Sequence, residues 1–189
     1  MKYIQEIRQL QENISWEPPL SGRLKINVDG AVSSTAIAAA ALARDDFGRF
    51  IGANMFHTQA AYVFGEERSL LAELQAIHQG VLLAIRLNTG GAIIEGDSLT
   101  ATRILKGEGN LTPRRLKDIV TDILSDLRRS DLLIEFSFIR RDGNKVAHTL
   151  ANFSIHNSLN YEVSQPPVCV KQLLLSEVIY CSQEVVDRQ

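Results

Sequence analysis

Two cysteines are all that the 189 residues contain, and they sit late in the chain as Cys169 and Cys181. Their spacing matches no metal-binding pattern, and two thiols do not make the disulfide framework of a small secreted fold. That scarcity points to free thiols in a reducing, intracellular compartment. An excess of positive charge is missing as well. Lys and Arg number 20 against 22 Asp and Glu, a formal net charge of -2. The molecule as a whole is therefore not a basic nucleic-acid binder, and a polyanion must be held by a local patch or through metal ions. No uninterrupted apolar run approaches the ~20 residues of a bilayer span. The opening stretch MKYIQEIRQLQENIS is amphipathic and charged, unlike a secretory signal. With no targeting signal in view, the expected location is nucleus or cytoplasm, with no membrane partner. Repeats and low complexity are absent too, and 45% hydrophobic with 22% charged residues is the balance of a globular chain with a real core.

What is present reads as an ordered series of elements. Ile4, Ile7, Leu10 and Ile14 recur at helical spacing, so residues 2–14 are expected to form a short amphipathic helix, broken by Pro18-Pro19. Leu24-Lys25-Ile26-Asn27-Val28-Asp29 alternates as a half-buried strand does. Residues 36–43 and 50–56 continue in extended pattern around the turn chemistry of Asp45-Asp46-Phe47-Gly48, which makes a three-strand antiparallel meander. Residues 66–87 form the strongest helix, with Leu70, Leu74, Ile77, Val81 and Ile85 on its apolar stripe. A short buried strand over 92–94 runs into Glu95-Gly96-Asp97-Ser98, and Asp97 or Ser98 can cap a helix ending at Leu105. A helix over 114–128, a strand over 132–139 and a core helix over 145–155 follow. Val168, Val170, Leu173, Leu174 and Val178 are expected to dock the tail on the body. The order βββαβααβα argues for an α/β, or mixed α+β, fold: one mixed sheet with helices on both faces. The expected division is a lead-in over 1–19, one domain over 20–160 and a packed tail over 161–189.

Four residues carry the chemistry: Asp29 on the first strand, Glu73 on the long helix, Asp97 at the end of the fourth strand and His148 on the last core helix. Acids at the carboxyl ends of strands in an α/β sheet lie where sites collect. If the first and fourth strands are neighbours, Asp29 and Asp97 stand side by side and Glu73 reaches them from the helix behind. Carboxylates converging without cationic partners repel one another and call for a cation, and oxygen donors suit Mg²⁺ or Mn²⁺. Two such ions roughly 4 Å apart clamp a phosphodiester, activating a water and stabilising the leaving oxygen. Each residue also has a plainer reading: Asp97 as a helix cap, Glu73 as a surface glutamate, His148 as a satisfied core histidine. Asp29, on an apolar strand before Gly30, is the hardest to explain as structure, because burying an unpaired charge is costly.

Ile26-Asn27-Val28-Asp29-Gly30-Ala31, Ala72-Glu73-Leu74-Gln75-Ala76, Glu95-Gly96-Asp97-Ser98 and Asn144-Lys145-Val146-Ala147-His148-Thr149-Leu150-Ala151 together resemble type 1 ribonuclease H. They resemble more closely the plant ribonuclease H-like domains related to retroelement reverse transcriptases, as do Trp16-Glu17-Pro18-Pro19 and Pro166-Pro167. The likeness covers about residues 16–180. It implies a ribonuclease H-like fold with a five-stranded mixed sheet, endonucleolytic cleavage of RNA in an RNA–DNA hybrid, and metal ligation by Asp29, Glu73 and Asp97. The chain also departs from the pattern. His148 stands where active members usually carry Asp, and as a fourth ligand a neutral imidazole suits Mn²⁺ better than Mg²⁺. Only Arg140-Arg141-Asp142-Gly143 bridges strand to helix, where bacterial enzymes have a longer loop with a catalytic histidine; His148 is one candidate to inherit part of that role. The glycine-rich second strand has become residues 36–41, and the basic helical protrusion is missing. Grip on a nucleic acid then falls to Arg114, Arg115 and Lys117, although a solvated helix face explains the same charges. Asn27, Ser33, Ser98 and Asn144 are further candidates near the expected cleft. Two other readings stay open: a non-catalytic module that binds nucleic acid or protein, and a nuclease of the same fold acting on branched DNA or DNA ends.

Overall fold

The computed structural model describes residues 16–108 and 113–187. The helix expected over 2–14 lies outside those residues. Three strands open the body: β1 (Leu24–Val32), β2 (Ala36–Arg44) and β3 (Phe50–Gln59). Neighbours in this meander pair antiparallel, and the turns are built from local side-chain bonds. Ser33 Oγ accepts the Ala36 amide at 3.0 Å. Asp45 Oδ1 accepts the amides of Phe47 and Arg49, with Gly48 at φ 74 supplying the left-handed step.

Helix α1 (Gly65–Leu87) begins with Glu66 and Glu67 in its first turn, which suits the positive end of the helix dipole. It stops at Asn88, whose left-handed backbone (φ 48) returns its amide to Ala84 and Ile85. β4 (Gly91–Gly96), α2 (Leu99–Leu105), a 3₁₀ turn (Arg114–Leu116), α3 (Lys117–Arg129) and β5 (Leu133–Phe138) complete two crossovers. A second 3₁₀ turn (Arg141–Gly143) leads into α4 (Lys145–Asn157), then β6 (Tyr161–Val163) and α5 (Val168–Asp187).

The sheet runs β5-β4-β1-β2-β3-β6, with β1–β4 and β4–β5 parallel. The sequence predicts five strands and the fold has six; the extra one is β6, three residues antiparallel to β3. Three residues are too few to show alternation, and much of what aligns them is side chain. Asn160 Oδ1 accepts the His57 amide at 2.9 Å while its Nδ2 donates to His57 O at 3.1 Å, imitating one more ladder pair.

Helices cover both faces. Ile26, Val28, Ala39, Ala41 and Ile94 pack with Leu74, Ile77 and Val81 of α1 and Ile123 of α3. On the other side Ala38, Ala40, Leu42 and Met55 meet Val146 and Leu150 of α4 and Val170 and Leu174 of α5. The tail thus docks through Val170 and Leu174, whereas Val168 faces solvent. By length and composition α1 could cross a bilayer, but its apolar surface is spent between sheet and α3.

A polar seam crosses the α5 side. Arg44, wholly buried, pairs with Glu177 of α5, donates to Asn27 Oδ1 at 2.7 Å and stacks 3.5 Å from the centre of the Trp16 ring. Beside it Lys25 meets Glu95 at 2.9 Å. Buried charges survive here because each has a partner. Cys169 is a free thiol, partly buried against the α4–α5 side of the core, and burial pushes its pKa up.

Candidate metal centre

The register of the parallel pair places the acids. Asn27 stands beside Glu95 and Val28 beside Gly96, so Asp97, the next residue after β4, reaches the level of Asp29. Glu73 arrives from α1, which closes in over bare backbone: a Cβ on Gly30 would stand 2.7 Å from the Glu73 amide nitrogen. One carboxylate oxygen from each of Asp29, Glu73 and Asp97 then lies within 4.8 Å of the others. Glu73 and Asp97 line an open cleft of about 510 Å³ with Ser69, Ser98 and Arg141.

Electrostatics strains this cluster. Burial, then the Asp97 charge, raises the Asp29 carboxyl from 3.8 to about 6, against the opposing pull of His148 and Arg141. Burial, then Asp29 and Asp97, pushes Glu73 well above the usual carboxylate range, although the Gly30 amide bonds to it and Arg141 lies near. Asp29 Oδ1 is buried and has no hydrogen-bond partner among the described residues. A carboxylate with one orphaned oxygen, converging with two more hard oxygen donors and no sulfur in the set, fits a hard divalent cation. Asp29, Glu73 and Asp97 would hold it.

His148 is placed differently. Its Nδ1 lies 2.7 Å from Asp29 Oδ2, and the Asn152 amide nitrogen sits 3.1 Å from its Nε2. It braces Asp29 and stands outside the converging trio. Arg141 Nε approaches Asp97 Oδ2 at 3.5 Å. Sequence reasoning saw Arg141 only as part of a short connection; its place between the carboxyl end of β5 and the start of α4 was the signal that could have found it.

The candidate contact residues divide. Asn27 is fully buried and bonded to Arg44. Asn144 is buried too, and its Nδ2 donates to Val28 O at 2.9 Å, tying the start of α4 to β1. Neither has surface to offer a nucleic acid, which corrects the expectation for both: at this depth an amide is spent on the frame. Ser98 caps α2 through the Ala101 amide and still borders the cleft. Ser33 is exposed in the β1–β2 turn, outside the trio. Arg114, Arg115 and Lys117 are exposed at the start of α3. Because α3 ends where β5 begins, and β5 runs parallel to β4, that start lies at the same end of the sheet as Asp97.

A family model described as reverse transcriptase-like matches residues 27–154, which include all four of these site positions. The chain belongs to that family. It is a ribonuclease H-like domain, and solved structures agree on the fold. The N-terminal ribonuclease H domain of a Mycobacterium tuberculosis protein superposes with a TM-score of 0.63 at 16% identity, covering 72% of this chain and 95% of that one. Ribonuclease H1 of Halobacterium salinarum gives 0.61 at 17%, covering 72% and 99%. LC11-RNase H1, solved in complex with an RNA/DNA hybrid, gives 0.63 at 16%, covering 73% and 100%. Among curated proteins no sequence matches.

Proposed function

We propose that this ribonuclease H-like domain is a divalent-metal-dependent nuclease that hydrolyses the RNA strand of RNA–DNA hybrids. The observation that carries the reading is the trio: three carboxylates on three separate elements within 4.8 Å, one with a buried, unpartnered oxygen. A cation bound among the three carboxylates offsets this repulsion. The hybrid bound by the similar LC11-RNase H1 supports the choice of substrate.

A divalent ion here, whether Mg²⁺ or Mn²⁺, supplies Lewis acidity for a phosphoryl oxygen and an activated water. The chain's own residues do the rest. Arg141 offers a guanidinium at the cleft for a phosphate. In this reading a water attacks phosphorus, the bond from phosphorus to the leaving oxygen breaks, and no covalent intermediate forms. Arg114, Arg115 and Lys117 meet the backbone further along the same end of the domain. Selection of RNA rests on 2′-hydroxyl contacts, for which Ser69 and Ser98 border the cleft.

One observation favours a second reading. Asp29 and Asp97 already have His148 and Arg141 against them, as in a domain that keeps the fold to bind nucleic acid without cutting it. A labelled hybrid incubated with the chain in Mg²⁺ and in Mn²⁺, beside an Asp29→Asn control, decides. RNA-strand cleavage that vanishes in the control supports the nuclease. Retention of hybrid without cleavage, at high enzyme and low salt, supports the binding module.

A further inference from the structure

We infer that the chain holds one divalent ion, at Asp29 Oδ1, Glu73 and Asp97, and that His148 occupies the space a second ion would need. The inference takes from the proposed function only that a divalent ion sits on the trio.

The donor inventory carries it. The usual way for a carboxylate between two ions to serve both is to give one oxygen to each. Asp29 is the innermost acid of the trio, and its two oxygens are in different circumstances. Oδ1 is buried without a partner, whereas Oδ2 has the imidazole Nδ1 at 2.7 Å. An ionised carboxylate only accepts, so Nδ1 is the donor and turns an N–H toward any cation approaching Oδ2. The other ring nitrogen is no alternative ligand, since the Asn152 amide lies 3.1 Å from it and is anchored to the His148 carbonyl at 2.9 Å. On the far side Arg141 stands 3.5 Å from Asp97 Oδ2. Both flanks of the trio are thus occupied by N–H donors.

Charge agrees with the donors. One divalent ion and the Arg141 guanidinium balance three carboxylates. A second ion would add two positive charges, and the one further acid among the described residues that line the cleft, Glu66, stands outside the converging trio. His148 is a positioning residue in this arrangement: it fixes the Asp29 carboxylate so that Oδ1 faces the ion.

Counting bound Mn²⁺ on the full chain tests this. Calorimetry and spin resonance would be read with Mn²⁺ alone, and again with a hybrid whose RNA strand carries 2′-O-methyl groups that block cleavage. One ion per chain and no Mn–Mn coupling is the expected result in both. Two ions per chain, a spin-coupled pair in either sample, or no bound Mn²⁺ overturns the inference. His148→Asp frees Oδ2 and adds a ligand, so its count should rise to two; a count that stays at one removes His148 as the cause. His148→Asn still donates to Asp29 and should keep one, which serves as the check should the Asp variant not fold. One ion without hybrid cleavage would leave the inference standing and sink the nuclease reading. Two ions with cleavage would do the reverse.

Discussion

Gly30 and Ala72 touch backbone to backbone: a Cβ on Gly30 would stand 2.5 Å from the Ala72 carbonyl carbon. That contact lets α1 lie directly on β1 and brings Glu73 to Asp29. Gly30→Ala must push the helix outward, at about 1–3 kcal/mol of stability for the overpacking. The displaced Glu73 should weaken Mn²⁺ binding roughly ten- to hundredfold, as losses around a metal site do. Calorimetric titration checks it, and unchanged affinity in a folded variant would show that Glu73 is not a ligand.

Asp29→Asn separates stability from function. The asparagine keeps the shape and removes a buried charge that burial and Asp97 both penalise. Without metal at pH 8 the variant should be more stable than the parent by up to about 3 kcal/mol for a shift of this size, and should melt at a higher temperature. Its hybrid cleavage should be lost. A lower melting temperature would mean that the charge is better compensated than the geometry indicates.

Acidity should act on the metal-free chain in an unusual direction. Asp29 titrates near 6 when folded and near 3.8 when unfolded. Across that window the native state binds more protons, so stability falls as pH rises and the loss is complete above the folded value. Glu73, raised as well, extends the decline upward. Saturating Mn²⁺ favours the ionised forms and should raise the melting temperature more at pH 8 than at pH 5. Thermal unfolding at several pH values measures both. A metal-free stability that climbs from pH 4 to 6 would contradict the buried acid pair.

Arg44 gives a prediction away from the site. It joins β2 to α5 through Glu177 while bonding Asn27 and stacking on Trp16. Arg44→Ala leaves the other members of the seam without their partner, which costs about 3–5 kcal/mol in buried pairs. Proteolysis should then begin in α5. A cost below about 1 kcal/mol would mark the pair as a surface contact, where such values are usual.

Much of this was legible in the sequence because it rests on local pattern. The alternation of Leu24, Ile26 and Val28 gave β1, and the stripe from Leu70 to Val81 gave α1. The acids stood out because Asp29 had no structural excuse on an apolar strand and Asp97 followed one. The partners stayed hidden, since a partner is a property of two elements crossing. That His148 would meet Asp29 requires knowing that α4 crosses β1 on the side where Asp29 points. The burial of Asn27 and Asn144 follows from Arg44 and from the Val28 carbonyl, 17 and 116 residues away. β6 was unreadable for the opposite reason, being only three residues long.

The second strand has a different consequence. Ala38, Ala39, Ala40, Ala41 and Ala43 present side chains one carbon long to both helical layers, all fully buried. Such a strand keeps neither layer at a distance, and this thin waist is what allows a glutamate from above and a histidine from below to reach the same aspartate. It also narrows the paths open to mutation. A residue with little to truncate and no room to grow can change neither way cheaply, so any larger side chain at these positions has to displace a helix from the sheet.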